Sequence, residues 1–275
     1  MLTEQQLKDI EKLQEVCEEH GCYRLKLNDD MLRSRTHNKD DYFYYERDVL
    51  IGYLGLYGFG SSYELCGMVH PDFRRRGIFS SLFHQAVSSL KERRINKLLI
   101  NSPGSSLTGK AFTSSLPAPY SFSEYQMKWK PRDLEPVNED IQLAPVTKED
   151  RGLILELDYL CFNVGRDDSM EFMEHVQQEA GNSSFVIKYK GRKSGKIHIQ
   201  REQDRSYIFG FAVHPSLQGR GIGSAVLAKT VHTESMAGRS IYLEVAAKND
   251  NALKLYEKAG FVSYQVQDYF VFEGL

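Results

Sequence analysis

Six residues stand out for what their types and spacing could do. Gln218-Gly219-Arg220-Gly221-Ile222-Gly223 follows an apolar run, Ile208 to Val213, and a turn at His214-Pro215. It opens a helical pattern that runs from Ser224 to Ala228. Strand, glycine-rich turn and helix in that order make an anion cradle. Glycine lets the backbone approach a phosphate, and the first amides of the helix face it with the positive end of the dipole. The spacing is neither Gly-x-Gly-x-x-Gly nor a Walker loop. The plain alternative is a turn that caps a helix and binds nothing.

Beyond the loop comes a strand-like run, Ser240 to Val245, and then Asn249-Asp250-Asn251-Ala252-Leu253-Lys254-Leu255-Tyr256-Glu257-Lys258-Ala259-Gly260-Phe261. Loop and segment, in this order, resemble the GNAT family of N-acetyltransferases, strongly over residues 141–275. In that family a Gln/Arg-x-x-Gly-x-Gly/Ala loop holds the pyrophosphate of acetyl-CoA. The resemblance implies that Gln218, Gly219, Arg220, Gly221, Ile222 and Gly223 take the pyrophosphate, with the Ser224 hydroxyl beside them. It also implies that the backbone of Phe211, Ala212 and Val213 bonds the pantetheine arm and helps polarise the thioester carbonyl. Asn249 matches an Asn that bonds the CoA arm or caps the helix. Arg220 is either a salt partner or simply solvated.

Acetyl transfer to an amine needs a held thioester, a polarised carbonyl, a deprotonated amine and a protonated or stabilised leaving thiolate. Tyr256 matches the family's general acid; a phenol with a reference pKa of about 10 stays neutral at working pH and can protonate a thiolate. Its rival reading is a core tyrosine beside Leu253. Glu244, in Leu-Glu-Val twelve positions before Tyr256, resembles the general base of the ribosomal-protein alanine N-acetyltransferases. Its rival reading is a strand-face Glu in a surface ion pair. His214 and His232 could titrate near neutrality; His214 reads better as a structural turn residue.

These residues need elements to hold them. Leu7, Ile10, Leu13 and Val16 predict one apolar face of a helix from Thr3 to Glu19, with Thr3 as N-cap, Gln6 at the capping-box position and Gly21 as the stop. Tyr23 to Leu27 alternates like a strand. Tyr42 to Glu46 and Val49 to Tyr57 predict a hairpin, and Tyr63 to Val69 a third strand. A helix from Ser80 to Glu92, a strand from Lys97 to Ile100 and a loop from Asn101 to Ser106 follow. In the second half the pattern predicts a strand from Ile141 to Val146 and a helix from Thr147 to Cys161 with Asp150 completing the cap. It then predicts a helix from Met170 to Glu179, and a hairpin of Phe185 to Tyr189 with Lys196 to Gln200.

The two halves repeat at an offset of 144. Val213-His214-Pro215 lies over Val69-His70-Pro71, Gln218 over Arg74 and Gly221 over Gly77. Carried forward, the offset sets Glu244 over Ile100 and Tyr256 over Phe112. Neither N-terminal residue can exchange a proton, and Phe79 stands where Gly223 does. The expectation is an α/β (α+β) chain of two tandem modules, each a mixed, mostly antiparallel sheet flanked by helices. Residues 1–130 form a non-catalytic module that lacks the strand before its first helix, 131–140 a linker, and 141–275 the catalytic module. The architecture is similar to that of mycothiol synthase, a tandem member of the family.

Composition bounds the rest. The net charge of −2 gives no electrostatic case for nucleic acid. No apolar stretch approaches a membrane span, and Met1 to Gln6 does not read as a signal peptide. Cys17, Cys22, Cys66 and Cys161 are scattered without metal-ligand spacing and read as reduced cytoplasmic thiols, so no metal is expected. The expected function is acetyl-CoA-dependent N-acetylation of a small amine or a peptide N-terminus. The alternative is a non-catalytic acyl-CoA-binding or regulatory protein, which would not need both Glu244 and Tyr256.

Overall fold

The computed structural model describes residues 1–93, 95–133, 138–178 and 181–275. Residues 134–137 of the expected linker, and Glu179 at the end of an expected helix, lie outside the described residues. In chain order the elements are α1 (Glu4–Gly21), α2 (Asp29–Ser34), β1 (Asp41–Glu46), β2 (Val49–Phe59), β3 (Ser62–Val69), α3 (Ile78–Lys91), β4 (Lys97–Pro103), α4 (Leu107–Thr113) and β5 (Tyr120–Trp129). Then come β6 (Ile141–Pro145), α5 (Arg151–Phe162), α6 (Arg166–Gln178), β7 (Asn182–Tyr189), β8 (Arg192–Arg201), β9 (Arg205–Val213), α7 (Ile222–Met236), β10 (Ser240–Ala246), α8 (Asp250–Lys258) and β11 (Phe261–Val271).

Two compact units result: residues 1–123 with 265–275, and residues 124–264. In the first unit β1, β2 and β3 run antiparallel, β3 and β4 pair in parallel, and the Gln267–Val271 stretch of β11 closes against β4. In the second, β6, β7, β8 and β9 run antiparallel, β9 and β10 pair in parallel, and the Glu124–Lys128 stretch of β5 closes against β10. The two units share one strand topology, and each takes its closing strand from the other half of the sequence. The second unit opens on β6; among the described residues the first has no strand before α1.

The sequence repeat is a repeat of geometry. The buried residues of α3 are Ile78, Leu82, Phe83, Ala86, Val87 and Leu90; those of α7 are Ile222, Val226, Leu227, Thr230, Val231 and Glu234, each 144 positions on. Thr3 with Gln6, and Thr147 with Asp150, both form capping boxes. The offset reaches single atoms: Cys17 Sγ and Arg74 Nε meet the Val69 carbonyl, as Cys161 Sγ and Gln218 Nε2 meet that of Val213.

Several local expectations change. Val16 is exposed, because Ile10, Leu13 and Cys17 define the helical stripe and Val16 falls about 100° away from Cys17. Tyr23 to Leu27 is not a strand: side chains take its backbone groups, with Glu18 accepting from the Leu25 amide and Gln267 donating to the Arg24 carbonyl. β4 continues through Asn101 to Pro103 where a loop was expected, because Asn101 to Pro103 pair with β11. The helix from Thr147 begins as one 3₁₀ turn, Lys148–Asp150, before α5.

Candidate active site

The site of the second unit is built where β9 leaves β10. Their parallel pairing covers Arg205 to Ile208 against Ser240 to Leu243. Beyond it, β9 continues to Val213 bonded to β8, and β10 continues to Ala246 bonded to β5. The divergence coincides with a bulge. The β8–β9 register shifts between Lys196 and His198, and Gly210 sits at φ +53°, where glycine is the residue without steric penalty. The backbone of Phe211, Ala212 and Val213 lies on this open stretch.

From Val213 the chain turns through His214. The His214 Nδ1 accepts from the Ser216 amide at 3.3 Å and caps the 3₁₀ turn Pro215–Leu217. His70 does the same for Asp72 in the first unit, so both histidines hold the turn. The Gln218 side chain donates to the Val213 carbonyl at 2.9 Å and ties the loop to the strand end. Gly219 and Gly221 then take φ +76° and +77°, and a Cβ on either would meet nothing within 4 Å. Gly221 is the N-cap of α7 and supplies no side-chain cap. Among the described residues, the amides of Gly219 through Ser224 donate to no protein acceptor. These six amides line a cradle open to solvent. Ile222 itself is buried in the core and offers only its backbone; Ser224 is exposed. Arg220 is exposed, with Nη2 donating to the Ser216 carbonyl.

A cavity of about 360 Å³ adjoins the loop between α7 and α8, lined by Gly221, Ser224, Ala225, Leu255, Lys258 and Arg132 among others. Arg132 and Lys258 were not singled out from sequence; the Lys130-Pro131-Arg132 stretch read as linker, and its basic character beside a proline was the available signal.

Asn249 caps α8, its Oδ1 accepting from the Ala252 amide at 3.1 Å. That cap aims α8 so that Tyr256 enters the core with Leu243 and Val245. Tyr256 is 8% exposed, edge-on to Phe261, and its phenol makes no hydrogen bond among the described residues. Burial pushes its pKa up to about 12. Glu244 alternates to the other face of β10, where it is exposed and accepts from Gln126 Nε2 at 2.9 Å. Its charge, after burial, helps push the Tyr264 phenol up to about 12. Tyr256 and Glu244 thus stand on opposite faces of the sheet, on the two sides of the open stretch.

The first unit repeats the loop with different filling. Arg75 and Gly77 take φ +64° and +76°, and α3 also lacks a side-chain cap. Phe79 lies against Gly67, whose missing Cβ would come within 2.9 Å of the ring, and edge-on to Phe112. In the second unit the ring comes from the strand instead: Phe211 and Leu255 are the nearest side chains to Gly223. One slot is filled from opposite sides, so Phe79 takes the place of Phe211.

The carried-forward offset needs correction. The helix caps Ser106 and Asn249 are 143 apart. So are the parallel pairs Leu65–Ile100 and Ile208–Leu243. The bulge at Gly210 inserts the extra residue that makes the offset 144 in the loop. From its first residue to the next strand α7 takes one residue fewer than α3, which returns the offset to 143, so Glu244 corresponds to Asn101 and Tyr256 to Thr113, not to Ile100 and Phe112. The Thr113 hydroxyl bonds to the Gly109 and Lys110 carbonyls of its own helix, and an amide at Asn101 cannot take a proton.

With this geometry in place, comparison with known proteins identifies the fold. The model of the acetyltransferase (GNAT) family matches residues 14–104 and 153–261. The chain belongs to the GNAT family. It is 32% identical over 79 residues to the [ribosomal protein bS18]-alanine N-acetyltransferase of Escherichia coli strain K12, a match that takes in 28% of this chain and 53% of that protein. The chain thus spans about half the length of the curated relatives it matches. Among solved structures, a GCN5-related N-acetyltransferase from Sphaerobacter thermophilus superposes with a TM-score of 0.75 at 15% identity, over 96% of this chain and 91% of that one. A tandem GNAT protein from the clavulanic acid biosynthesis pathway superposes at 0.69 and 17%, over 96% and 94%. These likenesses show the fold, a GNAT fold built twice. Among the described residues no helix is long and apolar enough to cross a membrane.

Proposed function

We propose that this GNAT chain is an acetyl-CoA-dependent N-acetyltransferase whose chemistry is carried by the second unit, acting on a primary amine of a small molecule or a peptide N-terminus. The observation that carries this reading is the run of six available amides from Gly219 to Ser224 at the end of an open strand. Those amides and the space before the two glycines fit a pyrophosphate, and Arg132 and Lys258 supply cationic side chains around the neighbouring cavity. Asn249 can serve the CoA arm only through atoms its cap leaves available. When bound, acetyl-CoA supplies the acetyl group as an activated thioester.

The residues divide the proton work by face. Glu244, exposed beside Gln126, takes a proton from the incoming ammonium directly or through water. Tyr256, on the opposite face and fully protonated near neutrality, gives a proton to the departing sulfur. Base and acid serve different atoms, the attacking nitrogen and the departing sulfur, and the separate placement of this pair is compatible with that division. The backbone from Phe211 to Val213 holds and polarises the carbonyl. The first unit has the loop but no residue that can act as acid or base in the matching places, which supports a non-catalytic role for it.

The deciding experiment is CoA release measured across a panel of primary amines and peptides. Turnover with at least one of them, abolished by Tyr256→Phe with Glu244→Gln, is expected. Tight acetyl-CoA binding without turnover on any acceptor would favour a binding protein instead.

A further inference from the structure

The face of the second unit that carries Glu244 also holds a buried imidazole that the chemistry above does not use. His198, on β8, is 2% exposed. Its Nδ1 is 2.8 Å from Ser184 Oγ, while its Nε2 has no partner among the described residues. The ring stacks on Phe209 at 5.2 Å and lies edge-on to Phe172 of α6 at 6.1 Å. It passes directly over the bulge: a Cβ on Gly210 would come within 2.5 Å of its Cδ2 and 3.2 Å of its Nε2. Glycine at the bulge is what lets this ring lie against β9 where β9 leaves β10.

Strand alternation places His198 and Glu244 on the same face. Ile197, Ile199, Ile208 and Leu243 all enter the core on the other side. His198 pairs with Phe209, and Ile208 with Leu243, so His198 and Glu244 lie on one face, with Glu244 one residue beyond the end of the β9–β10 pairing. Two anchors hold the cover: Lys196 pairs with Asp158 of α5, and Ser169 of α6 donates to the same carboxylate at 2.6 Å. Among the described residues no imidazole stands at the matching place in the first unit. Its residue in register with His198 is Gly55, crowded by the hydroxyls of Tyr53 and Tyr57.

We propose that His198 Nε2 reads an uncharged polar group beside the reacting amine, so that the preferred acceptor is an α-amino amide, as at a peptide N-terminus, rather than a bare monoamine or a free amino acid. This rests on the acetyltransferase reading above. Burial, and then the Lys196 charge, lower the imidazole pKa to about 3, so it is neutral at any working pH. A neutral ring offers one hydrogen bond and no charge, which suits an amide and gives a carboxylate no ion pair. A buried ring nitrogen left unmatched by the substrate costs free energy that a matching group recovers. Phe172, 37% exposed, is the ring an entering acceptor must turn aside.

The test compares alaninamide with isopropylamine, which carries a methyl group in place of the carboxamide, at equal free-base concentration. Alaninamide is expected to be preferred at least tenfold in kcat/KM by the wild-type protein. His198→Phe keeps the aromatic stack, and His198→Asn keeps a partner for Ser184; neither has a polar atom at the position of Nε2. Both should raise KM for alaninamide about tenfold, leave isopropylamine turnover, acetyl-CoA affinity and Tm unchanged, and erase the preference. His198→Gln should restore part of it. Equal use of the two acceptors by the wild-type protein, or a preference that survives both variants, overturns the role of His198 while leaving the acetyltransferase reading intact. Absence of turnover on any amine overturns both.

Discussion

A phenol can protonate a leaving thiolate only while it still holds its proton. Burial raises the pKa of Tyr256 to about 12, so the acid form persists far into the alkaline range. On the proposed scheme the contribution of Tyr256 is lost as pH rises through that value. The kcat profile should show no alkaline fall from this residue below about pH 10. Tyr256→Phe should lower kcat about 10²–10⁴-fold and leave acetyl-CoA affinity nearly unchanged, since the ring and its contact with Phe261 remain. Glu244→Gln should lower kcat/KM for the amine and alter its pH dependence. An acceptor of low pKa is the better probe, because the amine's own ionisation can mimic the same limb. Unchanged rates in both variants would remove the proton-transfer scheme.

The elements decide whether those residues meet a substrate at all. The loop was legible because glycines at two positive-φ positions and a following helix leave a clear trace in sequence, and because His-Pro turns recur 144 residues apart. The bulge at Gly210 was not legible: one glycine in an apolar strand carries no local sign that it shifts the register. The offset it raises to 144 in the loop falls back to 143 after α7, and that second change moves the matching partners of Glu244 and Tyr256 by one residue. His198 was missed for the same reason, since what singles it out is burial beside that bulge. Two predictions belong here. Gly221→Glu forces a side chain into φ +77° and a carboxylate before the six amides, so acetyl-CoA affinity should fall by several kcal/mol in calorimetry. Unchanged affinity would place the pyrophosphate elsewhere. Lys196→Met leaves the Asp158 carboxyl group buried without its cationic partner, a loss of about 3–5 kcal/mol by denaturant titration. Adding Asp158→Leu should recover much of it, because the pair costs desolvation on both sides. A double variant no better than the single one would show that the Ser169 bond to Asp158, not the ion pair, anchors α5 and α6.

At the scale of the whole chain, local sequence pattern identified two modules but not how the strands are shared between them. Strand pairing is non-local, and nothing in Tyr120 to Trp129 or Phe261 to Val271 announces which sheet each completes. The consequence is that a cut between the sequence halves is not a cut between compact units. Removing residues 265–275 takes Gln267 to Val271 off the edge of β4 and removes Phe272, which is buried against Phe83 in the first unit's core. Burying one such aromatic ring is worth about 3–5 kcal/mol, against a stability of about 5–15 kcal/mol for a whole domain. The exposed β4 edge adds lost ladder bonds and an aggregation-prone surface. A chain ending at Tyr264 keeps every residue of the second unit, including Glu244, Tyr256 and the loop. Hydrogen exchange should therefore show protection lost across β2, β3 and β4, with β8 and β9 still protected. Phe272→Ala should give a milder version of the same pattern. Retained protection in β4 of the truncated chain would mean that the first unit does not depend on the borrowed strand, and that residues 1–123 form a self-sufficient sheet.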